Sequence, residues 1–386
     1  ALTAVDLSGL KWPVLRFWDR YGLGSGDWGR LEVSTDGNGW TPLYGVSEVR
    51  TNWAEQSVDL SPWKNVTNLR IRFHLWSDGG GTEDGWSIDD FSVGEQVPVN
   101  VGYPFYEGFE GGLTNWLHAG WVADTNGAYA GSRAAHDTVA VSMAPDTTLW
   151  LTLAGGLNLS NAVNPQLTFW VKGHLYWRSY FRVQGSSDEG VSWWDLPAGQ
   201  DHDWASDWTR RQVSLAGSVG QTIRLRFATF SIWGTAPDED LFLDKLAISE
   251  LPAPVNIEST TPHLKSVDLT WTRASLGAAF RRNEVYRATH ANVGTGDTLL
   301  GTFTDAAVTN LTDTGLTIGA TYFYRVYTVD TNDAYTASNE RATTTVPVTV
   351  PVVDGMENLN LWVTTGTWGL SADRPHGGSM SLSDSP

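Results

Sequence analysis

The chain has 386 residues, a formal net charge of −18, 18% charged residues and no cysteine. The lack of cysteine excludes disulfides, thiolate metal sites and thiol catalysis. The acidic balance argues against nucleic acid as a partner, because no basic stripe is available to neutralise phosphates. No apolar run is long enough to span a membrane, so we expect a secreted or cell-surface protein without a membrane span.

Short alternating runs broken by Gly, Asp and Asn fill the chain, and helical periodicity is nearly absent, which predicts β-strands throughout. Residues 1–97 and residues 101–250 contain the same runs in the same order. The matched pairs are 13–18 with 165–170, 69–73 with 223–227, and 86–93 with 241–248. In the second pair apolar residues alternate with arginines, which predicts a strand buried on one face of a sandwich.

The opening and closing motifs of the repeat point to a family. Residues 101–250 open with E-G-F-E at 107–110, both copies contain P-x-L-x-F-W shortly after L-S, and residues 1–97 close with I-D-D-F-S-V at 88–93. Taken together, these motifs resemble the MAM-like jelly-roll modules of secreted bacterial proteins, including the non-catalytic part of immune-inhibitor-A-type peptidases. The resemblance implies a complete jelly roll at 101–250 and one without its opening strands at 1–97.

Residues 252–347 show a different pattern. An apolar strand ends in Trp271, a second strand carries Tyr286, and L-x-x-G-x-x-Y-x-Y-x-V spans residues 316–326. This segment resembles a fibronectin type III domain, of which such a Trp and a tyrosine corner are typical. Proline residues on both sides predict short, stiff linkers.

Residues 352–386 repeat the opening of the middle copy. D-G-M-E at 354–357 corresponds to E-G-F-E, and a later Gly-Ser pair recurs at 378–379. We therefore predict an all-β fold of tandem β-sandwiches in the order jelly roll, jelly roll and fibronectin-III-like, with a further jelly roll split between the two termini. Residues 140–152 have no counterpart in either half, and we interpret them as one surface loop.

A structural calcium ion between the first and last strands is implied by the jelly-roll resemblance. The candidate ligands are Glu110, Asp244 and Asp137 in the complete copy and Glu357, Asp89 and Asp90 in the split copy. Hard carboxylate oxygens suit Ca²⁺ rather than a transition metal. The alternative is that these are ordinary surface carboxylates of an acidic protein.

Twenty-one tryptophans raise the question of sugar binding. Most recur at matched positions of the two copies, which is what a shared core predicts. Trp177, Trp204 and Trp233 have no clear partners in residues 1–97 and are the candidates for a glycan-stacking surface. Burial in a core or an interface is the alternative for these three.

The chain contains no H-E-x-x-H, G-x-S-x-G, phosphate-binding or dinucleotide-binding motif, so we expect no enzymatic activity. We expect an extracellular structural or adhesive protein that assembles head to tail into a filament, sheath or stalk, with residues 352–386 completing the 1–97 domain of the next unit. Covalent tandem repeats, a nicked chain, strand exchange and a fragment of a longer protein all fit this pattern. The alternative function is the accessory glycan- or protein-binding region of a secreted hydrolase.

Overall fold

A computed structural model gives the fold. It describes the chain except for residues 1, 81–82, 100, 138–142, 176–178, 202–203, 233–239, 277–278, 349–353, 363–365, 374 and 385–386. The described residues form antiparallel β-sheets, and their helical structure consists of short 3-10 turns such as Ser61–Trp63 and Ala216–Ser218. The prediction of an all-β protein with several sandwiches is confirmed. No helix in the described part has the length and apolar character needed to cross a bilayer.

The chain divides into two compact units, Ala1–Glu250 and Leu251–Pro386, called here the first and second units. The first unit holds two β-sandwiches. The strands of the first sandwich are β1 (Leu2–Val5), β2 (Pro13–Gly22), β3 (Trp28–Ser34), β4 (Thr41–Ser47), β5 (Val49–Asp59), β6 (Leu69–Trp76) and β7 (Gly85–Glu95). Its two sheets have the strand orders β1-β6-β3-β4 and β5-β2-β7.

The second sandwich repeats this plan with additional strands. They are β8 (Phe105–Glu107), β9 (Trp116–Ala119), β10 (Val122–Asp124), β11 (Ala134–His136), β12 (Thr147–Leu153), β13 (Leu157–Asn158), β14 (Pro165–His174), β15 (Ser179–Ser186), β16 (Trp194–Asp201), β17 (Trp204–Ser214), β18 (Thr222–Ser231) and β19 (Asp240–Glu250). One sheet has the order β10-β11-β19-β14-β17, with β8 also paired to β19. The other has the order β16-β15-β18-β12-β9, with β13 also paired to β18.

Alternation along equivalent strands builds both cores. Leu15 and Phe17 on β2 are fully buried, as are Leu167 and Phe169 at the same places on β14. Successive side chains of a strand point to opposite faces, so these pairs face the inside of each sandwich. Most of the buried apolar side chains of the two sandwiches form one continuous cluster.

Polar contacts also join the two sandwiches. Arg224 on β18 is 2% exposed. Its guanidinium donates to Ser61 Oγ at 2.9 Å and pairs with the Asp59 carboxylate at 3.1 Å. The side-chain oxygen of Gln56 on β5 accepts a hydrogen bond from the backbone N–H of Gly120 at 2.9 Å. Because charged and polar groups across this boundary are paired, the two sandwiches pack as one unit.

The closing strands β7 and β19 have equivalent sequences but different surroundings. β19 lies inside its sheet, with β14 on one side and β8 and β11 on the other. β7 pairs with β2 on one side, and none of the described strands pairs with its other side. The first sandwich therefore presents an unpaired strand edge at β7.

The interpretation of residues 140–152 as one surface loop is wrong. Residues Thr147–Leu153 form β12, which lies inside a sheet between β18 and β9. The leucines at 149, 151 and 153 are buried because they alternate along this strand. Residues 140–152, which have no counterpart in the split copy, thus include most of β12, a central strand of the complete copy.

The second unit contains a further sandwich and a small hairpin. Its strands are β20 (Ile257–Pro262), β21 (Ser266–Trp271), β22 (Phe280–Ala288), β23 (Thr298–Phe303), β24 (Asn310–Thr314), β25 (Thr321–Asp330), β26 (Tyr335–Ala337), β27 (Arg341–Thr344), β28 (Gly369–Ser371) and β29 (Ser381–Ser383). The sandwich sheets have the orders β20-β21-β24 and β23-β22-β25-β26, with β27 on β25. Trp271 is buried in this core, and the Tyr322 hydroxyl accepts a hydrogen bond from Thr317 N–H, as in a tyrosine corner.

The hairpin β28–β29 has the same register as β10–β11 of the complete copy. Leu370 lies opposite Leu382 in the first hairpin, and Ala123 lies opposite Ala135 in the second. The resemblance that was visible in the sequence thus extends to strand bounds and pairing.

Candidate functional site

A turn clasped by two carboxylates lies at the predicted calcium position of the complete copy. Glu110 accepts hydrogen bonds from Ser132 N–H at 2.8 Å, from Ser132 Oγ–H at 2.6 Å and from Arg133 N–H at 3.0 Å. The hydroxyl bond contributes most to lowering the pKa of Glu110 below its ordinary value. Gly131 has a φ of +73°, and a Cβ there would collide with the Glu110 carboxylate. Glycine is required at this position on both grounds.

Asp244 holds the other side of the same turn. Its Oδ2 accepts from the N–H groups of Tyr129 and Ala130, each at 2.8 Å, and its Oδ1 accepts from Lys245 N–H. Burial raises the pKa of Asp244, and the nearby charge of Glu110 raises it further. The structure therefore brings these two predicted ligands together around residues 129–133.

The split copy contains both halves of this arrangement, one in each unit. Glu357 accepts from the N–H of Ser379 at 3.0 Å and from its hydroxyl at 2.6 Å, next to Gly378 with a φ of +74°. Asp89 accepts from Asp90 N–H at 2.8 Å, and Asp90 has a φ of +50°, as Lys245 has a φ of +46°. The same side-chain and backbone geometry thus recurs at both places.

Asp137 lies apart from this pair. Its Oδ1 accepts from Leu241 N–H at 2.8 Å, whereas Asp244 is three residues further along β19, about 10 Å away for an extended strand. Burial raises the pKa of Asp137 to about 6.

The arrangement of Glu110 and Asp244 around residues 129–133, called here the clasp, fits a calcium ion only in part. Each oxygen of a carboxylate offers two lone pairs, and after the hydrogen bonds above, Glu110 Oε2 and Asp244 Oδ1 retain one each. Groups of three or more acidic, His or Cys side chains at metal-binding spacing do not occur among the residues that the structure describes. Since Ca²⁺ takes six to eight oxygens, the remaining ligands would have to be backbone carbonyls and water.

The three predicted glycan-stacking tryptophans lie within or directly beside segments outside the described residues. Trp177 and Trp233 lie outside the described residues. Trp204 is the first residue of β17, opposite His174 on β14, and only its backbone position is described.

An exposed aromatic surface on the first sandwich was missed in the sequence. In the complete copy the ring of Tyr129 stacks on Trp170, with centroids 3.9 Å apart, and packs edge-on against Trp208. The counterparts of these tryptophans are Trp18 and Trp53, which are 39% and 42% exposed. On the face of β7 that points into the first sandwich, Phe91 is 38% exposed, whereas its counterpart Leu246 on β19 is 2% exposed.

The opening segment in the second unit exposes the matching side chains. Trp362 is 41% exposed and Trp368 is 50% exposed, whereas their counterparts Trp116 and Trp121 are almost fully buried in the complete copy. Trp362 Nε1–H donates to Asp354, just as Trp116 Nε1–H donates to the equivalent Glu107. This hydrogen bond is therefore shared, whereas the exposure of the two tryptophans differs.

No protein-family model matches the chain, and no curated protein matches it. Solved structures that match include the glycoside hydrolase domain of Endo-D from Streptococcus pneumoniae, at 17% identity over 63% of this chain and 37% of that one, with a TM-score of 0.28. A β-1,2-glucanase from Parabacteroides distasonis matches at 13% identity over 59% of this chain and 34% of that one, with a TM-score of 0.25. The chain thus spans little more than a third of the length of either enzyme.

The sixth fibronectin type III domain of human fibronectin type III domain containing protein 3 matches at 17% identity over 28% of this chain and 96% of that one, with a TM-score of 0.24. The sheet orders given above make the protein an all-β chain of several sandwiches. It has distant structural similarity to fibronectin type III domains and to domains of carbohydrate-active enzymes.

Proposed function

We propose that this chain is a non-enzymatic, extracellular structural protein that assembles head to tail into a filament, sheath or stalk. In the assembly, residues 352–386 of one copy complete the first sandwich of the next copy as a MAM-like jelly roll. The observation that carries the proposal is the match between an unpaired edge at β7 and a hairpin, β28–β29, that repeats the hairpin covering β19.

The contact between β7 of one copy and the hairpin β28–β29 of another is called here the joint. The complete copy supplies its strand register. In it, Ala135 of β11 lies opposite Leu243 of β19, and His136 lies opposite Phe242. Transferred to the split copy, this register puts Leu382 of β29 opposite Ile88 of β7, and Ser383 opposite Ser87. Adding a strand to an exposed edge supplies main-chain hydrogen bonds, while alternate side chains enter the partner's core.

Covering the exposed aromatic side chains would provide the driving force. The four side chains at the joint, Trp18, Phe91, Trp362 and Trp368, are 38–50% exposed. Each would bury roughly 100 Å², worth about 2.5 kcal/mol, so the gross gain is about 10 kcal/mol. Loss of translational and rotational freedom offsets at least about 4 kcal/mol of this gain, which leaves about 6 kcal/mol and an affinity of about 40 μM or weaker.

A calcium ion at each clasp is part of the proposal. In the complete copy Glu110 and Asp244 would provide the side-chain ligands, and at the joint Glu357 of one copy would meet Asp89 of the next. Isothermal titration with Ca²⁺ should then give heat that Glu110→Gln reduces, and EDTA should weaken the assembly. Assembly that is unchanged in excess EDTA would remove calcium from the joint.

Cysteine pairs test the joint directly, because the chain has no cysteine of its own. In the variant Ser87→Cys with Ser383→Cys, mild oxidation is expected to give a ladder of covalent oligomers on a non-reducing gel. The matched control is Ser92→Cys with Ser383→Cys, which moves one thiol five residues along β7, about 17 Å.

The outcomes separate the alternatives. A ladder with the first pair and its absence with the control supports the proposed register. An internal disulfide within single chains would show that residues 352–386 close on their own chain, which contradicts head-to-tail assembly. No cross-link, or equal ladders from both variants, also contradicts it.

A further inference from the structure

Arg226 on β18 lies on the outer face of the second sandwich and has no carboxylate partner among the residues that the structure describes. It alternates with Leu225 and Phe227, which are fully buried, so its side chain points away from that core. Its Nε–H donates to the amide oxygen of Gln184 on β15 at 2.7 Å. The N–H groups of Nη1 and Nη2 donate to nothing in the described part of the chain, and both nitrogens are accessible to solvent.

Two neighbouring arginines of the same face do have carboxylate partners. The guanidinium of Arg224 lies 3.1 Å from the Asp59 carboxylate, and that of Arg182 lies 4.0 Å from Asp195. The charge of Arg226 therefore remains without a counterion on the described part of this face, although the chain as a whole has a net charge of −18.

The first sandwich contains the same contact with its charge paired. Arg72 on β6 is the counterpart of Arg226, and Glu32 on β3 is the counterpart of Gln184, since each pair lies opposite in register. Arg72 Nε–H donates to the Glu32 carboxylate at 2.6 Å. The second sandwich keeps this hydrogen bond but has a neutral amide in place of the carboxylate. A carboxylate from outside the chain would supply the missing charge.

Two indole rings hold the guanidinium of Arg226 in place. Its Cζ lies 4.0 Å from the ring centroid of Trp150 and 4.1 Å from that of Trp193, both within cation–π range. Burial lowers the pKa of Arg226 to about 9, and the charges of Asp59 and Asp195 offset this only in part. The group thus stays protonated at neutral pH, and it is ordered before any ligand arrives, which reduces the entropy cost of binding.

We infer that Arg226 is the centre of a binding site for the carboxylate of an acidic sugar, a uronic acid residue of a polysaccharide. The N–H groups of Nη1 and Nη2 match the two oxygens of a carboxylate. The half-buried indoles of Trp150 and Trp193 provide flat apolar surface beside it for the C–H face of a pyranose ring. The site lies wholly in the second sandwich, so it is independent of the proposed head-to-tail assembly.

The double variant Gln184→Glu with Asp195→Asn tests the site, because it places a carboxylate next to Arg226 without changing the net charge. It reproduces the pair that Arg72 and Glu32 form in the first sandwich. Asp195 is replaced as well because it lies 2.7 Å from the Gln184 amide, where two carboxylates would repel each other. Asp195→Asn alone is the matched control. Isothermal titration calorimetry of the full chain measures binding of tetramannuronate and of neutral mannotetraose, and scanning calorimetry gives the melting temperatures.

Tetramannuronate is expected to bind the wild-type chain and the Asp195→Asn control. Its binding to the double variant should be about tenfold to a hundredfold weaker, which corresponds to one hydrogen-bonded charge pair. Mannotetraose should give no heat of binding with any of the three proteins. The double variant should melt at or above the temperature of the control, since Arg226 gains a counterion, so that weaker binding does not report unfolding.

Equal binding of tetramannuronate to the double variant and the control would overturn the inference. The same holds for mannotetraose that binds as tightly as tetramannuronate, for a double variant that melts below the control, and for a wild-type chain that gives no heat with tetramannuronate at millimolar concentration. Tetraglutamate serves as a third ligand. If it binds as tightly as tetramannuronate, the site recognises acidic peptides, and the assignment to a sugar is wrong.

Discussion

Replacing Arg224 by methionine is expected to destabilise the first unit by about 3–5 kcal/mol, because it removes the cation from a buried ion pair. The guanidinium lies 3.1 Å from the Asp59 carboxylate, and the two side chains are 2% and 7% exposed. At that distance the Coulomb attraction is about 5 kcal/mol for an effective dielectric constant of about 20. Methionine keeps most of the apolar contact, so the loss reports the charge together with the hydrogen bonds of the guanidinium to Ser61 Oγ and to the carbonyl oxygens of Glu189 and Leu153.

Differential scanning calorimetry of the full chain measures this effect. A loss of this size lowers the melting temperature of a unit of 250 residues by about 10 °C. Arg70→Met is the matched control, because Arg70 occupies the equivalent position on β6 but is exposed, and it is expected to change stability by no more than about 0.5 kcal/mol. Equal shifts in the two variants, or recovery of no stability when Asp59→Asn is added to Arg224→Met, would refute the role given to this ion pair.

Three further predictions follow from the carboxylates and the tyrosine corner. Asp188→Asn should lower the melting temperature at pH 7. Burial opposes ionisation of Asp188, but hydrogen bonds from Ser192 hold its pKa at about 2. The stabilisation by the ionised carboxylate is therefore lost as the pH falls from about 4 to about 2, and the difference from wild type should disappear in that range. Burial raises the pKa of Asp137 to about 6, so its ionised form disfavours the native state at pH 7. Asp137→Asn should therefore raise the melting temperature at pH 7 and make no difference below about pH 4. Destabilisation at pH 7 that is enhanced by Ca²⁺ would indicate a metal ligand instead. Tyr322→Phe should lower the stability of the second unit by about 1 kcal/mol, because the N–H of Thr317 loses its acceptor, and an unchanged calorimetric transition would contradict this.

Alternation and internal repetition were enough to predict the sandwiches. The runs around Phe17 and Phe169 place apolar residues on one face, and they form the buried strands expected from them. β12 was missed because the comparison relied on matched segments, and this strand has no match in either half. Its own alternation at Leu149 and Leu151 was a signal that could have identified it.

The candidate site could be predicted only as a set of residues. The spacing from Glu110 to Gly131 and Ser132 recurs in both copies, which marks a contact, but a carboxylate can accept amide hydrogen bonds or bind a cation with the same residue. Only the structure shows that two amides and a hydroxyl already occupy three of the four lone pairs of Glu110. The exposure of Trp18 was equally hidden, because burial depends on a neighbouring strand and not on the residue itself.

The continuous core of the first unit also has a mechanical consequence. Because the apolar cluster crosses from one sandwich to the other, a pulling force along the chain meets no weak junction between them. Unfolding under load would then release Ala1–Glu250 in a single step of roughly 850 Å of contour length, instead of two steps of about 330 and 510 Å. The two sandwiches would bear tension as one element, and the extension recorded by an optical trap would show it.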